Sequence, residues 1–518
     1  MRVGVLDLLS DSAMGGWASR FYGLYFRKQF MAVTPQAVSV WCRALGHEVH
    51  YATYWGQADP LALLPADLDI VFFGSYTQSS ALACALSAAY RGRGVLTAIG
   101  GPHSRSFPTD CQRFFDFVIR DCDKTLIDDI LSGRVARGAI VSSGRPLEEF
   151  PSIEERMPEI RIAAFHKGKP LLTSMVPILS SIGCPYTCSF CVDWNSNYVA
   201  LPADKLQADL EYMSRHYPKV FIAYHDPNFA VRYDETMDVI ARIPKERRNA
   251  YLMESSLSIL KDDRLGRLTE TNCVYVAPGI ESWIDYSNKA AAGAKRGRDK
   301  LERVIAQLTQ ITQHVAGIQA NFLFGGDSDA GREPVELTKE FIARLPQVWP
   351  TINIPSPFGG TPLYDQLYRE GRILAEMPFA FYYNPYLAIT LKNYDALTYY
   401  DHLIEMHEVV TSNAMLARRL RTRTPATLRF VHALRTLATR AELGDFRRLR
   451  AQLASDPQMR AFHDGSRRAL PEYYHRQLDK RLGRFAELFP REQRIPLLEP
   501  PAPAADVARK RALKTAAE

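Results

Sequence analysis

Three of the chain's eight cysteines fall within eight positions, in the run Ile182-Gly183-Cys184-Pro185-Tyr186-Thr187-Cys188-Ser189-Phe190-Cys191. Intervals of three and then two residues put all three thiols on one short loop. Thiolate is the usual ligand of iron–sulfur clusters, which ordinarily take four. Three thiolates leave one iron of a cubane without a protein ligand, an open position where a small molecule can chelate. Gly183 and Pro185 suit a chain that must curl tightly. The apolar run Met175 to Ser181 just before it reads as a strand, which sets the loop at that strand's carboxyl end. Structural zinc would need a fourth ligand, usually from a second separated pair. Cys273 stands alone, and His216 and His225 lack zinc spacing. The pattern therefore favours a [4Fe–4S] cluster on Cys184, Cys188 and Cys191. The other five cysteines (Cys42, Cys84, Cys111, Cys122, Cys273) sit among apolar neighbours and read as small buried thiols.

The elements that must position this loop are α/β. Residues 1 to 140 alternate apolar runs (Arg2 to Leu9, Glu48 to Tyr54, Ile70 to Gly74, Val95 to Ile99, Phe117 to Ile119) with helical stretches at Pro35 to Leu45, Ser80 to Arg91 and Asp123 to Leu131. Such alternation predicts a doubly wound, flavodoxin-like parallel sheet, whose ligands lie beyond the strands' carboxyl ends. Gly74-Ser75 and Gly100-Gly101-Pro102-His103 stand at two of those ends, where glycine lets backbone approach a bulky ligand. Residues 141 to 172, rich in proline and charge, read as a linker. Residues 173 to 390 hold six further strand–helix units and predict a partial (β/α)6 TIM-type barrel, with functional groups at the carboxyl ends of its strands. A helical C-terminal region is expected over 391 to 495, and a disordered tail over 496 to 518.

On these residues the chain resembles the radical S-adenosylmethionine superfamily, over about residues 173 to 390. The match lies in the three cysteines, the aromatic Phe190 before the third, and strand-end segments in the expected order: Tyr224 to Phe229, Met253 to Ser256, Gly279 to Ser282, Asn321 to Gly326 and Pro355 to Tyr364. The resemblance implies that the open iron binds S-adenosylmethionine. Reductive cleavage of that molecule to a 5′-deoxyadenosyl radical would then act on a small-molecule substrate. It also implies cofactor contacts at Phe190, Asp226, Glu254, Glu281, Ser282, Phe324 and Gly325. Asp226 suits either the methionine ammonium or a helix cap, and Glu254 and Glu281 suit either the cofactor or a structural role. No catalytic residue is singled out.

A doubly wound domain ahead of this barrel is similar to the subfamily whose N-terminal domain binds cobalamin. That likeness implies cobalamin contacts at Gly74, Ser75, Gly100, Gly101 and Pro102, and C-methylation as the leading reaction. A cobalamin-independent or ring-forming radical enzyme is the alternative. The Asp-x-His-x-x-Gly motif that gives cobalt a histidine is absent, since no histidine precedes His47. The aromatic stretch Phe379 to Tyr386 and the pair Tyr399-Tyr400 suit either an apolar substrate pocket or core packing. An iron–sulfur electron carrier or redox regulator is the competing class; it would need none of the strand-end segments.

Composition agrees with a mostly folded, globular chain: 518 residues, 47% hydrophobic and 23% charged. No apolar run is long enough for a membrane span, and the start of the chain reads as a strand rather than a signal peptide, so a cytoplasmic protein is expected. The net charge of +7 is concentrated late, with 23 Lys/Arg against 11 Asp/Glu from residue 411 onward. That excess suits solvated helix faces or peripheral contact with anionic lipid; no nucleic-acid partner is expected. A flavodoxin- or ferredoxin-type reductant is the expected protein partner.

Overall fold

The computed structural model describes residues 1–13, 16–144, 149–284 and 296–501. Six strands open the chain: β1 (Arg2–Leu8), β2 (Glu48–Tyr54), β3 (Ile70–Ser75), β4 (Leu96–Gly100), β5 (Phe117–Ile119) and β6 (Ala139–Val141). They pair in parallel in the order β2-β1-β3-β4-β5-β6, so strand order reverses between β1 and β3. Six of the seven residues of β1 are buried, the near-continuous apolar run of a sheet covered on both faces. Helices α1 (Trp17–Tyr25), α2 (Val33–Ala44), α3 (Ser80–Arg91), α4 (Pro102–Ser106), α5 (Pro108–Gln112) and α6 (Lys124–Leu131) connect them.

The expected linker is not bare chain. Residues 139–141 form the edge strand β6, and α7 (Ile153–Ala163) follows. A capping box starts α7, with Ser152 and Glu155 satisfying each other's end of the helix. The helix runs through Pro158 and docks on α2: Glu159 accepts from Ser39 at 2.7 Å and pairs with Arg43 at 2.5 Å. The buried Arg156 donates to Gln36 and to the Pro177 carbonyl, tying this layer to the next strand.

That strand, β7 (Met175–Ile178), starts the second sheet. A two-residue antiparallel pair, β8 (Ser181–Ile182) and β9 (Val199–Ala200), then closes the cysteine loop as a hairpin. Next come β10 (Phe221–Tyr224), β11 (Tyr251–Met253), β12 (Cys273–Val276), β13 (Gly279–Glu281), β14 (Gly317–Leu323) and β15 (Val348–Asn353). β12 and β13 both pair with β14, so they are two pieces of one strand broken at 277–278. The sheet runs β7, β10, β11, β12/β13, β14, β15, all parallel, six positions of an open barrel. Helices α8 (Ala203–His216), α9 (Tyr233–Ala241), α10 (Leu265–Glu270), α11 (Gly297–Ile311), α12 (Glu333–Arg344) and α13 (Pro362–Arg369) join them.

From α14 (Ala396–Thr411) through α15 (Asn413–Leu420), α16 (Ala426–Ser455), α17 (Pro457–His463) and α18 (Glu472–Leu482) the chain is helical. Of the expected tail, residues 496–501 are tied to the fold: Leu497 N donates to Asp110 at 2.8 Å. Glu499 accepts from Thr109 through both carboxylate oxygens, and its carbonyl accepts from Tyr364 at 2.8 Å. Residues 502–518 of that tail lie outside the described residues. Among the described residues, no helix is long and apolar enough to cross a membrane.

Candidate functional site

Cys184, Cys188 and Cys191 lie in the loop between β8 and β9; the first two are buried and the third half-buried. Gly183, at φ +70°, must be glycine on two counts. The left-handed backbone disfavours a side chain, and a Cβ there would collide with the Asn197 carbonyl of the returning strand. Cys184 N donates to the Ser196 carbonyl at 3.4 Å and Cys191 N to the Cys188 carbonyl at 3.1 Å, so the loop curls back on itself. Among the described residues no three His, Cys, Asp or Glu side chains converge on one metal-ion position. A cubane presents its irons at separate corners and asks for no such convergence. Three soft thiolate donors on one turn fit that group.

Four neighbouring segments stitch the loop in place. From the end of β10, Asp226 accepts from Ser180 N at 3.0 Å, Ser180 Oγ at 2.7 Å and the Ser181 hydroxyl. Burial raises this carboxyl to about 6 against the lowering pull of those donors. From beyond β11, Ser256 and Ser258 bond the Tyr186 hydroxyl. Beyond β15, Leu363 N donates to the Ser189 carbonyl at 2.9 Å, and the Trp194 indole donates to the Gly360 carbonyl at 2.8 Å.

The fourth tie comes from the first sheet. Arg105, on α4, reaches Asp193 at 3.3 Å and Ser196 at 3.4 Å, while its Nε lies 3.6 Å from Asp121 beyond β5. The same helix abuts the barrel. A Cβ on Gly359 would strike the Ser106 carbonyl, and Phe107 stacks on Phe379 with centroids 3.8 Å apart. The Gly100-Gly101-Pro102 turn immediately precedes this helix, so the first sheet's ligand edge adjoins the cysteine loop. Gly101, at φ +105°, lets its backbone lie against Ser75; an added Cβ would sit 2.9 Å from the Ser75 carbonyl oxygen. A Cβ on Gly100 would face open space, and Pro102 is exposed. Gly74 has a different reason to be glycine: its Cβ would fall 2.7 Å from the Pro35 ring, on the helix side of the sheet. An open edge, bare of side chains at Gly100 and Gly101, bounded by the exposed Pro102 ring and backed by Ser75, fits a bulky planar ligand such as cobalamin. His103 is turned inward among Phe107 and Phe379, and burial lowers it to about 3, so it is neutral.

The remaining residues expected to contact S-adenosylmethionine divide in two. Glu254 is exposed and Glu281 half-buried at strand ends, and Phe190 is half-buried in the cysteine loop, so all three can be reached. Glu281 holds φ +63° with its carboxylate over Gly279, a conformation that costs a residue with a side chain about 1–3 kcal/mol. Asp226, Ser282, Phe324 and Gly325 are buried instead. Ser282 donates to Asp329 at 2.6 Å, and the other Asp329 oxygen accepts from Gly325 N and Gly326 N, joining the ends of β13 and β14. Phe324 stacks on Tyr399 at 5.3 Å, and Tyr399 OH donates to the Phe324 carbonyl at 2.7 Å. Most aromatic candidates for a substrate pocket are core: Phe379, Phe381, Tyr382, Tyr399 and Tyr400 are buried, while Tyr383 is half-buried and Tyr386 borders a groove. Arg105 and Asp329 are the residues that reading the sequence missed; neither lies in a motif. A groove of about 510 Å3 runs between α16 and α18, with Tyr386 and Tyr473 on its walls and Arg448, Arg476 and Lys480 at its rim.

In motif and fold the chain resembles the radical S-adenosylmethionine enzymes that carry an N-terminal cobalamin-binding domain. Among curated proteins it is similar to bacteriochlorophyllide d C-8(2)-methyltransferase of Chlorobaculum tepidum, 25% identical over 378 residues, covering 68% of this chain and 80% of that one. Among solved structures it shares its fold with the radical S-adenosylmethionine methyltransferase TsrM of Kitasatospora setae (TM-score 0.51, 14% identity, 73% of this chain and 76% of that one). It also shares its fold with OxsB, a cobalamin-dependent S-adenosylmethionine radical enzyme (TM-score 0.55, 11% identity, 99% and 84%). No protein-family model matches the chain.

Proposed function

We propose that the chain is a cobalamin-dependent radical S-adenosylmethionine enzyme that methylates carbon on an apolar, ring-bearing small molecule. The observation that carries this reading is Arg105, which fastens the helix behind the Gly100-Gly101-Pro102 turn to the cysteine loop. Bound together, the three cofactors supply a one-electron donor, a hydrogen-abstracting radical and a methyl carrier. Cys184, Cys188 and Cys191 hold the cluster. Phe190, Glu254 and Glu281 line the place for S-adenosylmethionine, with the Phe324-Gly325 backbone beside it. Gly100, Gly101 and Pro102 offer a bare edge to cobalamin, with Gly74 and Ser75 behind. Asp226 and Asp329 act through the loops: each uses buried carboxylate oxygens to fix strand ends, which keeps the site's geometry constant.

The curated relative named for bacteriochlorophyllide d makes a cyclic tetrapyrrole the first substrate to try. Electrons come from a flavodoxin- or ferredoxin-type reductant, and the arginine-rich face of α15 and α16 meets anionic lipid. The test is anaerobic purification after cobalamin-supplemented expression, with iron, sulfide and cobalt counted per chain. Dithionite, S-adenosylmethionine and the tetrapyrrole are then added. About four irons, one cobalt, 5′-deoxyadenosine and a methylated product are expected. Iron and 5′-deoxyadenosine without cobalt would remove methylation through cobalamin; a folded, reconstituted sample with neither iron nor 5′-deoxyadenosine would remove the reading altogether.

A further inference from the structure

Between Glu408 and Glu442 the sequence has seven arginines and neither aspartate, glutamate nor lysine. Three side chains from this stretch gather around one indole, that of Trp349 at the start of β15. Arg419 lies 4.4 Å from the ring centroid, Arg435 at 4.7 Å and His432 at 5.8 Å. Arg435 is anchored: it donates to the Tyr275 hydroxyl and to Gln319, both at 2.5 Å. Arg419 is fully buried and spends only one nitrogen, Nη1, on the Val410 carbonyl at 2.6 Å. Its Nε and Nη2, the paired donors that grip an oxyanion side-on, have no partner; nor has either ring nitrogen of His432, which is equally buried. Among the described residues, the charges acting on Arg419 and His432 are other cations.

A buried guanidinium with an idle bidentate edge and no counter-charge is unstable against any anion that can reach it. Arg435, half-buried, marks the side open to solvent. We propose that Arg419, His432 and Arg435 form a binding site for one phosphate-class oxyanion at the amino-terminal face of the barrel. Gln319 stands four residues before Leu323, about 13 Å of strand, so the site is on the opposite face from the cysteine loop and independent of the reaction proposed above. A free anion and an anionic lipid headgroup carry the same chemistry. The second source is served by Leu420, Phe430 and Leu437, exposed apolar side chains on the same two helices.

The test uses the full-length protein in phosphate-free buffer, the Arg419→Met and Arg435→Gln variants, radiolabelled inorganic phosphate in equilibrium dialysis, and flotation on phosphatidylglycerol vesicles against neutral phosphatidylcholine. One phosphate per chain, competed by sulfate and weakened at least tenfold in Arg419→Met, is expected. Flotation on anionic vesicles that Arg419→Met weakens tenfold, without phosphate uptake, assigns the site to a headgroup instead. Should Arg419→Met not fold, Arg435→Gln, on the open side, must show the loss. Binding of neither probe, or binding that both variants leave unchanged, overturns the site. Iron content and 5′-deoxyadenosine formation stay at wild-type levels throughout.

Discussion

Replacing Arg105 by alanine tests whether the first sheet holds the cysteine loop in place. The guanidinium spans three groups: Asp121 at 3.6 Å, Asp193 at 3.3 Å and Ser196 at 3.4 Å. Its side chain and those of Asp121 and Asp193 retain 17–24% of their exposure, so solvent screens the pairs in part and each contributes less than a buried one. The contacts to Asp193 and Ser196, with Asp121 holding the guanidinium in place, stabilise the closed loop by about 1–2 kcal/mol, a factor of roughly 5–30 in the opening equilibrium. Ser196 in turn accepts from Cys184 N, so opening frees the first cysteine. Iron release to a ferrous chelator, followed anaerobically on the reduced protein, should quicken by about that factor in Arg105→Ala. Arg105→Lys, which keeps the charge but not the fork, should recover part of it. Arg113→Ala removes an ion pair with Asp110 at 2.6 Å, away from the loop, and should leave release unchanged. Release from Arg105→Ala within twofold of wild type, at equal melting temperature, would refute the tie.

Replacing any one of Cys184, Cys188 and Cys191 by alanine should abolish the cluster absorbance and 5′-deoxyadenosine formation; a triple variant that still cleaves S-adenosylmethionine would sink the assignment. Gly183→Ala should lower iron incorporation on reconstitution with little change in far-ultraviolet circular dichroism, because the clash with Asn197 is local. Gly101 replaced by a bulky residue should weaken cobalamin retention and spare the cluster, read as the cobalt-to-iron ratio. Asp7 is buried, its Oδ1 has no partner, and burial raises it to about 7. An acid whose folded value lies above its unfolded one binds more protons when folded, so its contribution to stability falls as pH rises from about 4 to about 7. Asp7→Asn should therefore raise the melting temperature at pH 8 and gain little at pH 5; an equal gain at both would contradict this.

What could be read from the chain was what is local. The cysteine loop declares itself by spacing, and the strands by apolar runs that a two-sided parallel sheet requires. α7 escaped because Pro158 and dense charge mask it, although Ser152 and Glu155, at the spacing of a capping box, do signal its start. Asp226 suggested a cofactor contact by position, yet its oxygens are engaged by Ser180 and Ser181, a use fixed by the pairing of β7 with β10 rather than by neighbours in sequence. Arg105 gave no local signal: Asp121 reaches it through the fold of the first sheet, and Asp193 and Ser196 only through the docking of the two sheets. The aromatics of 379–386 could have lined a pocket or filled a core. Packing by Phe107 and Tyr474 decides for core at Phe379, Phe381 and Tyr382, whereas Tyr386 borders the groove between α16 and α18.

That docking is itself an argument about mechanism. Interfaces between domains of one chain are usually polar and permit relative motion. Here Phe107, Phe379, Tyr364 and Tyr382 interlock as a buried aromatic cluster between the first sheet and the barrel, and Gly359 admits the Ser106 carbonyl at a distance no other residue allows. Packed aromatic contacts of this kind give way only at a cost of several kcal/mol, unlike a hinge. A reaction that passes a group between two cofactors needs their spacing held constant through many turnovers. For the reaction proposed above, the shared aromatic core and Arg105 would keep the carboxyl edges of the two sheets in one relation.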